Sequence, residues 1–365
     1  MKILVIAGRY GLSGVPLAQL KLAKALARDG HQIELIYGAV NEGNKLPESN
    51  LFKISTLNSQ RVSSMLFPLA KYFIFKKPDL VFTAGDHLNA IVLIASIISI
   101  SFAKISCSSR VTPYDTYSSK IFSKGWLLKI VMSLVDWRAN ALTCVSKEMV
   151  EQYHSTFAHK RHKCVYNIVL DEESKNIMSK KVHEEWLNNK SGQILIAAGA
   201  LEPWKGFDDL INAFNLVKLE NKNIKLLILG DGSMRLKLKQ QISELNLENY
   251  VKLLGFKNDP IRYFSLSDIF VLSSHVEGMP NVLIEAMMAG CTPVSTECPT
   301  GPKEIISENE NGYLAKVKDS RSIANAIIKA LDKPIEKNKL KDAVKQFHEK
   351  IILEKHFHML GLKDV

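Results

Sequence analysis

Two carboxylates stand eight residues apart in the stretch EGMPNVLIE, Glu277 to Glu285. Paired carboxylates share acid–base work when they face one another, so their position on the local structure decides what they can do. Pro280 is typical of a helix start and Gly290 of a helix end, which predicts a helix over 280–289. Glu277 then lies in the preceding loop and Glu285 in the second helical turn. The spacing therefore predicts two separate roles.

Glu285 interrupts an otherwise apolar run, with Leu283, Ile284, Ala286 and Met287 around it. Such a carboxylate is expected to be partly buried, and a buried carboxylate without a partner costs several kcal/mol. A pair of ligand hydroxyl groups would satisfy it. The alternative is an ordinary solvated glutamate on the edge of the helix.

Three glycine-containing loops each follow an apolar run and precede a helical pattern: AGRYGLSGVPLAQ (7–19), LILGDGSMR (227–235) and PTGPKEII (299–306). A helix that begins after such a turn directs its free N–H groups and positive dipole end at a phosphate. The first loop lacks the dinucleotide spacing, and a tight turn would also explain it. The glycines concerned are Gly8, Gly11, Gly14, Gly230, Gly232 and Gly301.

Short β-rich runs alternate with amphipathic helical patterns in two successive series. The strands are nearly continuous in Val, Ile and Leu, which favours parallel sheets covered on both faces. We therefore expect an α/β protein with two Rossmann-like, doubly wound domains, 1–170 and 171–340, facing a cleft. The predicted strands are 2–8, 32–38, 79–85, 103–108, 141–146 and 163–168, then 193–199, 225–232, 251–256, 269–274 and 291–296.

The net charge of +11 is confined to one half of the chain. Residues 1–170 contain 21 Lys and Arg against 10 Asp and Glu, whereas 171–365 contain 27 of each. The first half therefore suits an acidic partner such as anionic lipid or a phosphorylated substrate. Nucleic acid is not expected, because no recognition helix, zinc finger or aromatic repeat is present. The five cysteines form no C-x-x-C pair, which favours reduced thiols in the cytoplasm.

Two apolar segments in the first half of the chain are candidates for membrane contact. The run 88–103 is shorter than the roughly 20 residues of a spanning helix, and we expect it to divide into a buried helix and a strand. The segment SSMLFPLAKYFIFKK (63–77) mixes large apolar residues with lysines. It could be a helix packed on the sheet or an interfacial helix on an anionic membrane.

From about residue 193 onward the chain resembles the retaining GT-B glycosyltransferases of family 4, of the bacterial polysaccharide type. The matching segments are AAGALEPWKGFDDLINAF, LLILGDGSMRLKL, VKLLGF, SDIFVLSSHVEGMPNVLIEAMMAGCTPVSTECPTGPKEII and NGYLAKVKD, in the family's order and spacing. The resemblance implies a GT-B fold in which the C-terminal helix, 341–365, returns to the N-terminal domain.

The resemblance also implies roles for single residues. Glu277, the first Glu of an E-x7-E motif, would lie near the donor sugar, and Glu285 would accept the ribose hydroxyls. Lys205 would neutralise the diphosphate leaving group, where negative charge develops. The anomeric configuration of the sugar would be retained. Because the chain contains no D-x-D triad, we expect the reaction to need no metal, and no other cofactor is expected. The remaining donor-side positions are Gly278, Met279, Pro280, Asn281, Gly230, Gly232, Phe256, Thr300 and Gly301.

The chain departs from the family pattern at two places. Ala200 stands where the family usually has Arg, and SSRVTPYD (108–115) stands where many members have a His. We hypothesise that Arg110, or Arg9 beside Gly11 and Gly14 on the acceptor side, supplies the second positive charge across the cleft; a surface position or a salt bridge would equally explain Arg110. His87, at a strand end, could face the acceptor or cap a helix.

The sequence thus predicts a transferase that moves a hexose or N-acetylhexosamine from a nucleotide sugar, a UDP-sugar in particular, to a lipid-linked saccharide with α linkage. It would act in the cytoplasm at the inner face of the cell membrane, on an anionic surface. Two alternatives stay open: a non-catalytic GT-B partner that binds a nucleotide sugar, and a GT-B sugar-nucleotide epimerase.

Overall fold

The computed structural model describes residues 1–11, 14–220 and 223–362. The chain divides into two compact units, one of Met1–Val169 with the segment from Glu349 onward, the other of Leu170–His348. The segment that belongs to the first unit thus begins at Glu349, eight residues after the predicted 341. The reason is that helix α15 (Lys337–Val344) packs against α12 (Asn281–Ala289) of the second unit. Part of the first glycine loop (12–13) and the C-terminal 363–365 lie outside the described residues.

The first unit is built on a parallel sheet, in which the described strands follow the order β3-β2-β1-β4-β5-β6-β7. The order reverses between β1 and β4, because β2 and β3 extend to one side and β5 to β7 to the other. The strands are β1 (Lys2–Tyr10), β2 (Gln32–Val40), β3 (Lys53–Thr56), β4 (Leu80–Ala84), β5 (Lys104–Ser109), β6 (Ala141–Cys144) and β7 (His162–Cys164).

Helices cover this sheet. They are α1 (Gly14–Arg28), α2 (Leu66–Lys76), α3 (Asp86–Ile98), α4 (Pro113–Thr116), α5 (Lys124–Val135), α6 (Lys147–Thr156) and α16 (Glu349–Met359). Of the apolar run 88–103, residues 88–98 belong to α3, as expected, and residues 99–103 form the connection to β5, which begins one residue later than the predicted 103. Among the described residues, no helix combines the length and the apolar character that a membrane crossing requires.

The second unit repeats the plan with the described strand order β10-β9-β8-β11-β12-β13, again parallel. Here the order reverses between β8 and β11, whose residues Leu195 and Ile269 are in register. The strands are β8 (Gln193–Ala198), β9 (Ile224–Leu229), β10 (Val251–Gly255), β11 (Ile269–Leu272), β12 (Thr292–Thr296) and β13 (Tyr313–Ala315).

The core of the second unit explains why these runs form strands. Residues such as Leu195, Leu226, Ile228 and Val271 are almost wholly buried, with helix residues such as Phe214 packed among them, as expected for a sheet covered on both faces. The helices are α7 (Glu172–Met178), α8 (Glu185–Asn188), α9 (Phe207–Glu220), α10 (Arg235–Glu244), α11 (Ile261–Phe264), α12, α13 (Pro302–Ile305), α14 (Ser320–Asp332) and α15.

Candidate active site

A lysine and a glutamate form the centre of the candidate site in the second unit. Lys205 Nζ lies 2.5 Å from Glu277 Oε1, and Ser274 Oγ donates a hydrogen bond of 2.6 Å to the same oxygen. The Glu277 side chain is only 10% exposed. Two donors therefore hold this carboxylate in one orientation, since charge-assisted hydrogen bonds are short and strong.

Close packing of two loops brings this pair together. The loop after β8 and the loop after β11 are joined by hydrogen bonds from Ser273 Oγ to the Lys205 carbonyl, 2.9 Å, and from the His275 N–H to the Trp204 carbonyl, 2.8 Å. Gly206, with φ +61°, lies between them, and a Cβ on it would come within 2.2 Å of the Ser273 carbonyl oxygen. Only glycine permits both this approach and this backbone conformation.

The helix α12 carries the second glutamate. It begins at Asn281, one residue after the predicted start, and ends at Ala289, with Gly290 as the C-cap in the left-handed conformation. Glu277 therefore lies in the loop before the helix, and Glu285 lies half-buried in the second turn. Met279 and Pro280, the last two residues of that loop, are buried.

The loop after β12 packs against the loop that carries Glu277. Thr300 is fully buried, has φ +61°, and donates its hydroxyl to the Glu277 carbonyl oxygen. A positive φ is unfavourable for a β-branched residue and indicates a constrained loop. Gly301 has φ +95°, and a Cβ on it would lie 2.5 Å from Pro280 Cδ.

The glycines after β9 have a structural reason of their own. A Cβ on Gly230, which has φ +142°, would lie 1.8 Å from the Gly199 carbonyl oxygen, and one on Gly232 would lie 2.6 Å from that of Leu201. They let the β9 loop approach the β8 loop, which also carries the exposed Ala200. Phe256, just after β10, is 44% exposed at the same edge.

An exposed carboxylate strengthens the contact between the β8 and β9 loops. Glu202 accepts hydrogen bonds from the Ser233 hydroxyl, 2.7 Å, and from the Ser233 N–H, 3.2 Å. These two hydrogen bonds lower the pKa of Glu202. No sequence pattern predicts this contact or the pairing of His275 Nε2 with Asp209 Oδ2 at 2.8 Å.

All these second-unit residues stand at the carboxyl edge of one sheet. Lys205 follows β8 and Glu277 follows β11, and these are the neighbouring strands between which the strand order reverses. Ligands of open parallel sheets bind in the crevice that forms at such a switch point. The pair therefore lies where the fold favours ligand binding.

The first-unit candidates follow strands at the carboxyl edge of their own sheet, and each has local contacts of its own. Arg9 is exposed and donates to the Gln60 carbonyl at 2.8 Å. A Cβ on Gly11 would meet only the Asn41 side chain, and one on Gly14 would meet nothing within 4 Å. His87 is exposed in the first turn of α3 and does not cap it, because Gly85 occupies the N-cap position.

Arg110, after β5, is held within the first unit. Its Nη1 donates to Asn167 Oδ1, and burial lowers its pKa to about 10. Its Nε is buried and has no hydrogen-bond partner among the described residues. The partner seen is an amide and not a carboxylate, so the salt-bridge alternative does not describe this contact.

A buried carboxylate next to His87 was not anticipated. Asp86 is 5% exposed and accepts hydrogen bonds from Ser109 Oγ, 2.6 Å, and from the Tyr153 hydroxyl, 2.5 Å. Burial raises the pKa of Asp86. The contact fixes the start of α3 to β5 and α6, and its members are too distant in sequence to form a readable pattern.

Comparison with known proteins identifies the family. Residues 178–347 match the family described as glycosyl transferases group 1. An uncharacterized glycosyltransferase of Methanocaldococcus jannaschii is 32% identical over 276 residues, covering 71% of this chain and 68% of that protein. The chain belongs to the group 1 glycosyltransferases.

A second relative has a more specific name. N-acetylgalactosamine-N,N'-diacetylbacillosaminyl-diphospho-undecaprenol 4-alpha-N-acetylgalactosaminyltransferase of Campylobacter jejuni is 30% identical over 269 residues, covering 73% of this chain and 70% of the relative. Membership of this family makes the chain an enzyme that transfers sugars, and it disfavours the binding-partner and epimerase alternatives.

Solved structures agree with the fold. The crystal structure of Anabaena HepE in complex with UDP and glucose has a TM-score of 0.76 to this chain at 20% identity, covering 99% of each chain. At this identity the likeness speaks for the fold alone. The predicted class, GT-B with two Rossmann-like α/β domains, is confirmed.

Proposed function

We propose that this glycosyltransferase is a retaining enzyme of family 4 that uses a UDP-sugar as donor. It transfers a hexose or N-acetylhexosamine to a lipid-linked saccharide and forms an α linkage. The observation that carries the proposal is the Lys205–Glu277 pair at the switch point of the second sheet. The complex of HepE with UDP, in a protein of the same fold, supports the choice of nucleotide.

In the proposed reaction the bond between the anomeric carbon and the diphosphate oxygen breaks, and an acceptor hydroxyl oxygen bonds to the same face of that carbon. The acceptor proton passes to the departing diphosphate. Lys205 stabilises the negative charge that builds on this leaving group, because a fixed cation in a partly buried site needs no reorganisation. Removing one such group typically costs about 10²–10³ in turnover.

In this proposal the other donor-side residues surround the sugar, the diphosphate and the ribose of the donor. Glu277, which Lys205 and Ser274 already orient, lies beside the sugar, and the backbone amides of 278–281 steady the sugar and diphosphate. Glu285 accepts hydrogen bonds from the ribose hydroxyl groups. Gly230, Gly232, Phe256, Met279, Thr300 and Gly301 form the walls of the pocket.

The acceptor assignment rests on the Campylobacter relative, whose name describes an undecaprenol-diphosphate-linked saccharide. It also rests on the surface of the first unit. Helix α2 exposes Phe67, Lys71, Ile74 and Phe75 on one face, which suits an interfacial helix on an anionic leaflet. We place the enzyme at the cytoplasmic side of the cell membrane.

The donor assignment is tested by thermal shift against UDP-, GDP- and dTDP-sugars. A bound donor stabilises the native state by about 2.7 kcal/mol when its concentration is 100 times Kd. We expect the UDP-sugars to raise Tm most, and Glu285→Gln to abolish most of that rise. Glu244→Gln, an exposed substitution on α10, is the matched control.

Two results would overturn the proposal. One is a chain that no nucleotide sugar stabilises although it is folded by circular dichroism. The other is a product whose anomeric proton coupling shows a β linkage from an α-linked donor, because that would mean inversion.

A further inference from the structure

An apolar groove of about 540 Å³ opens on the first unit between the turn before α2, helix α3 and helix α5. Its volume falls in the roughly 300–1,000 Å³ range of ligand pockets. The apolar lining comes from Val62, from Ala90, Ile91 and Ile94 on α3, and from Leu128 and Val131 on α5.

The polar lining of the groove is confined to Arg61, Ser63 and His87. His87 is the second residue of α3, which follows β4, and Arg61 lies in the connection after β3. Both therefore come from segments that leave the carboxyl edge of the sheet, whereas Ile94 lies two turns further along α3. The lining thus changes from cationic or polar near that edge to apolar along the helices.

The helices that line the groove also carry, or lead into, exposed apolar side chains. Helix α5 presents Leu127, Ile130 and Leu134 outward at helical spacing, and the loop after α3 presents Ile100 and Phe102, the latter 96% exposed. The guanidinium of Arg138 donates to the carbonyls of residues 101 and 103, which places the end of α5 beside this loop. Exposed apolar side chains that lie beside a groove are typical of sites that contact a membrane, a ligand or another protein.

An occupant must therefore have an anionic head for the edge and a long apolar body for the helices. We propose that the groove binds the isoprenoid units next to the diphosphate of a polyprenyl-diphosphate-linked acceptor, with that diphosphate at Arg61 and His87. This inference rests on the proposed function. It adds a binding site for the isoprenoid chain, which is the part of the acceptor lipid that distinguishes it from other membrane lipids.

Photo-crosslinking of the full chain with a diazirine-bearing geranylgeranyl diphosphate tests this assignment. We expect mass spectrometry to find the label on peptides from α3 and α5, and farnesyl diphosphate to remove at least about nine-tenths of it. Farnesol should compete more weakly, since it lacks the anionic head. Equal competition by oleate would overturn the inference in favour of a general acyl-chain site.

Substitutions distinguish binding in the groove from binding to other exposed apolar surface. Ile94→Trp fills the groove and should raise the Kd for farnesyl diphosphate at least tenfold, with Ile91→Ser as a second variant if the first is unstable. Leu236→Ser, at a 79% exposed position on α10 of the second unit, is the matched control and should leave that Kd within about twofold. Arg61→Ala should weaken farnesyl diphosphate but leave farnesol unchanged.

The UDP thermal shift distinguishes the two possible failures. If UDP stabilises the chain but the probe labels no groove peptide, the inference is wrong and the proposed function stands. If UDP and every other nucleotide fail to stabilise the chain, the donor assignment is wrong, whatever the probe labels.

Discussion

Glu277 and Glu285 show how far single residues can be interpreted. Their spacing and the helix signals around them placed one in a loop and the other on a helix, and the structure has both there. What the sequence could not give is the support of Glu277. Ser274 Oγ of the same loop and the Thr300 hydroxyl of the loop after β12 donate to it, and the close approach of Gly206 to the Ser273 carbonyl holds the β8 loop against its own loop. These contacts depend on the folded chain.

At the same scale, Lys205 is expected to act through its charge on the leaving group. Lys205→Ala should lower turnover about 10²–10³-fold. It should also lower the free energy of unfolding by about 1–3 kcal/mol, because the Glu277 carboxylate, only 10% exposed, loses its charged partner and keeps Ser274 as a donor. Initial rates of sugar transfer and urea unfolding measure the two effects. Lys237→Ala on α10, whose side chain is 67% exposed, is the control. Equal turnover in the two variants would exclude Lys205 from the reaction.

At the scale of elements, the continuous Val, Ile and Leu runs predicted the strands that are buried on both faces. The pattern missed β3 and β13 because β3 is partly exposed along its length and β13 has only three residues. It also extended β7 too far: 165–168 is buried but irregular. Buried apolar residues alone do not distinguish a strand from a packed loop. The groove beside α3 had no sequence signal, since its lining comes from three separate segments.

Helix α16 and strand β7 carry two histidines that should make the first unit sensitive to acid. Burial, with nearby Arg110 for His356 and nearby His159 for His162, lowers both pKa values to about 3. In the unfolded chain an imidazole has its ordinary pKa of about 6.5. Below that pH the unfolded state binds more protons, so stability falls as the pH falls toward 3, by up to about 1.4 kcal/mol per pH unit for each histidine.

Replacement of His356 by Phe should therefore reduce the loss of stability between pH 7 and pH 5 by about 2 kcal/mol. Urea unfolding at the two pH values measures the difference, which is insensitive to any constant effect of the new side chain. His358→Phe, at an exposed position of the same helix, should leave the pH dependence as it is in the parent. An unchanged pH dependence in the His356 variant would show that His356 is protonated in the folded protein.

At the scale of the whole molecule, charge and apolar exposure coincide. The entire excess of +11 lies in residues 1–170, and the same part of the chain exposes Phe67, Phe75 and Phe102. The 171–365 half has no net charge. Enzymes that meet a lipid-linked acceptor at a negative leaflet gain about 1 kcal/mol of attraction for each Lys or Arg near the surface. Under the proposed function, we therefore predict that membrane contact is made by residues 1–170.

We therefore expect the full chain to sediment with phosphatidylglycerol vesicles and not with phosphatidylcholine vesicles. The double substitution Lys71→Ala and Lys76→Ala on α2 should weaken this binding by about 2 kcal/mol, or roughly 30-fold. The pair Lys339→Ala and Lys341→Ala, exposed on α15 of the neutral half, removes the same charge and should have little effect. Raising the salt from 0.1 to 1 M shortens the screening length from about 10 to about 3 Å, so binding should fall steeply. Salt-insensitive binding would mean that the exposed aromatic and aliphatic side chains suffice without the charge.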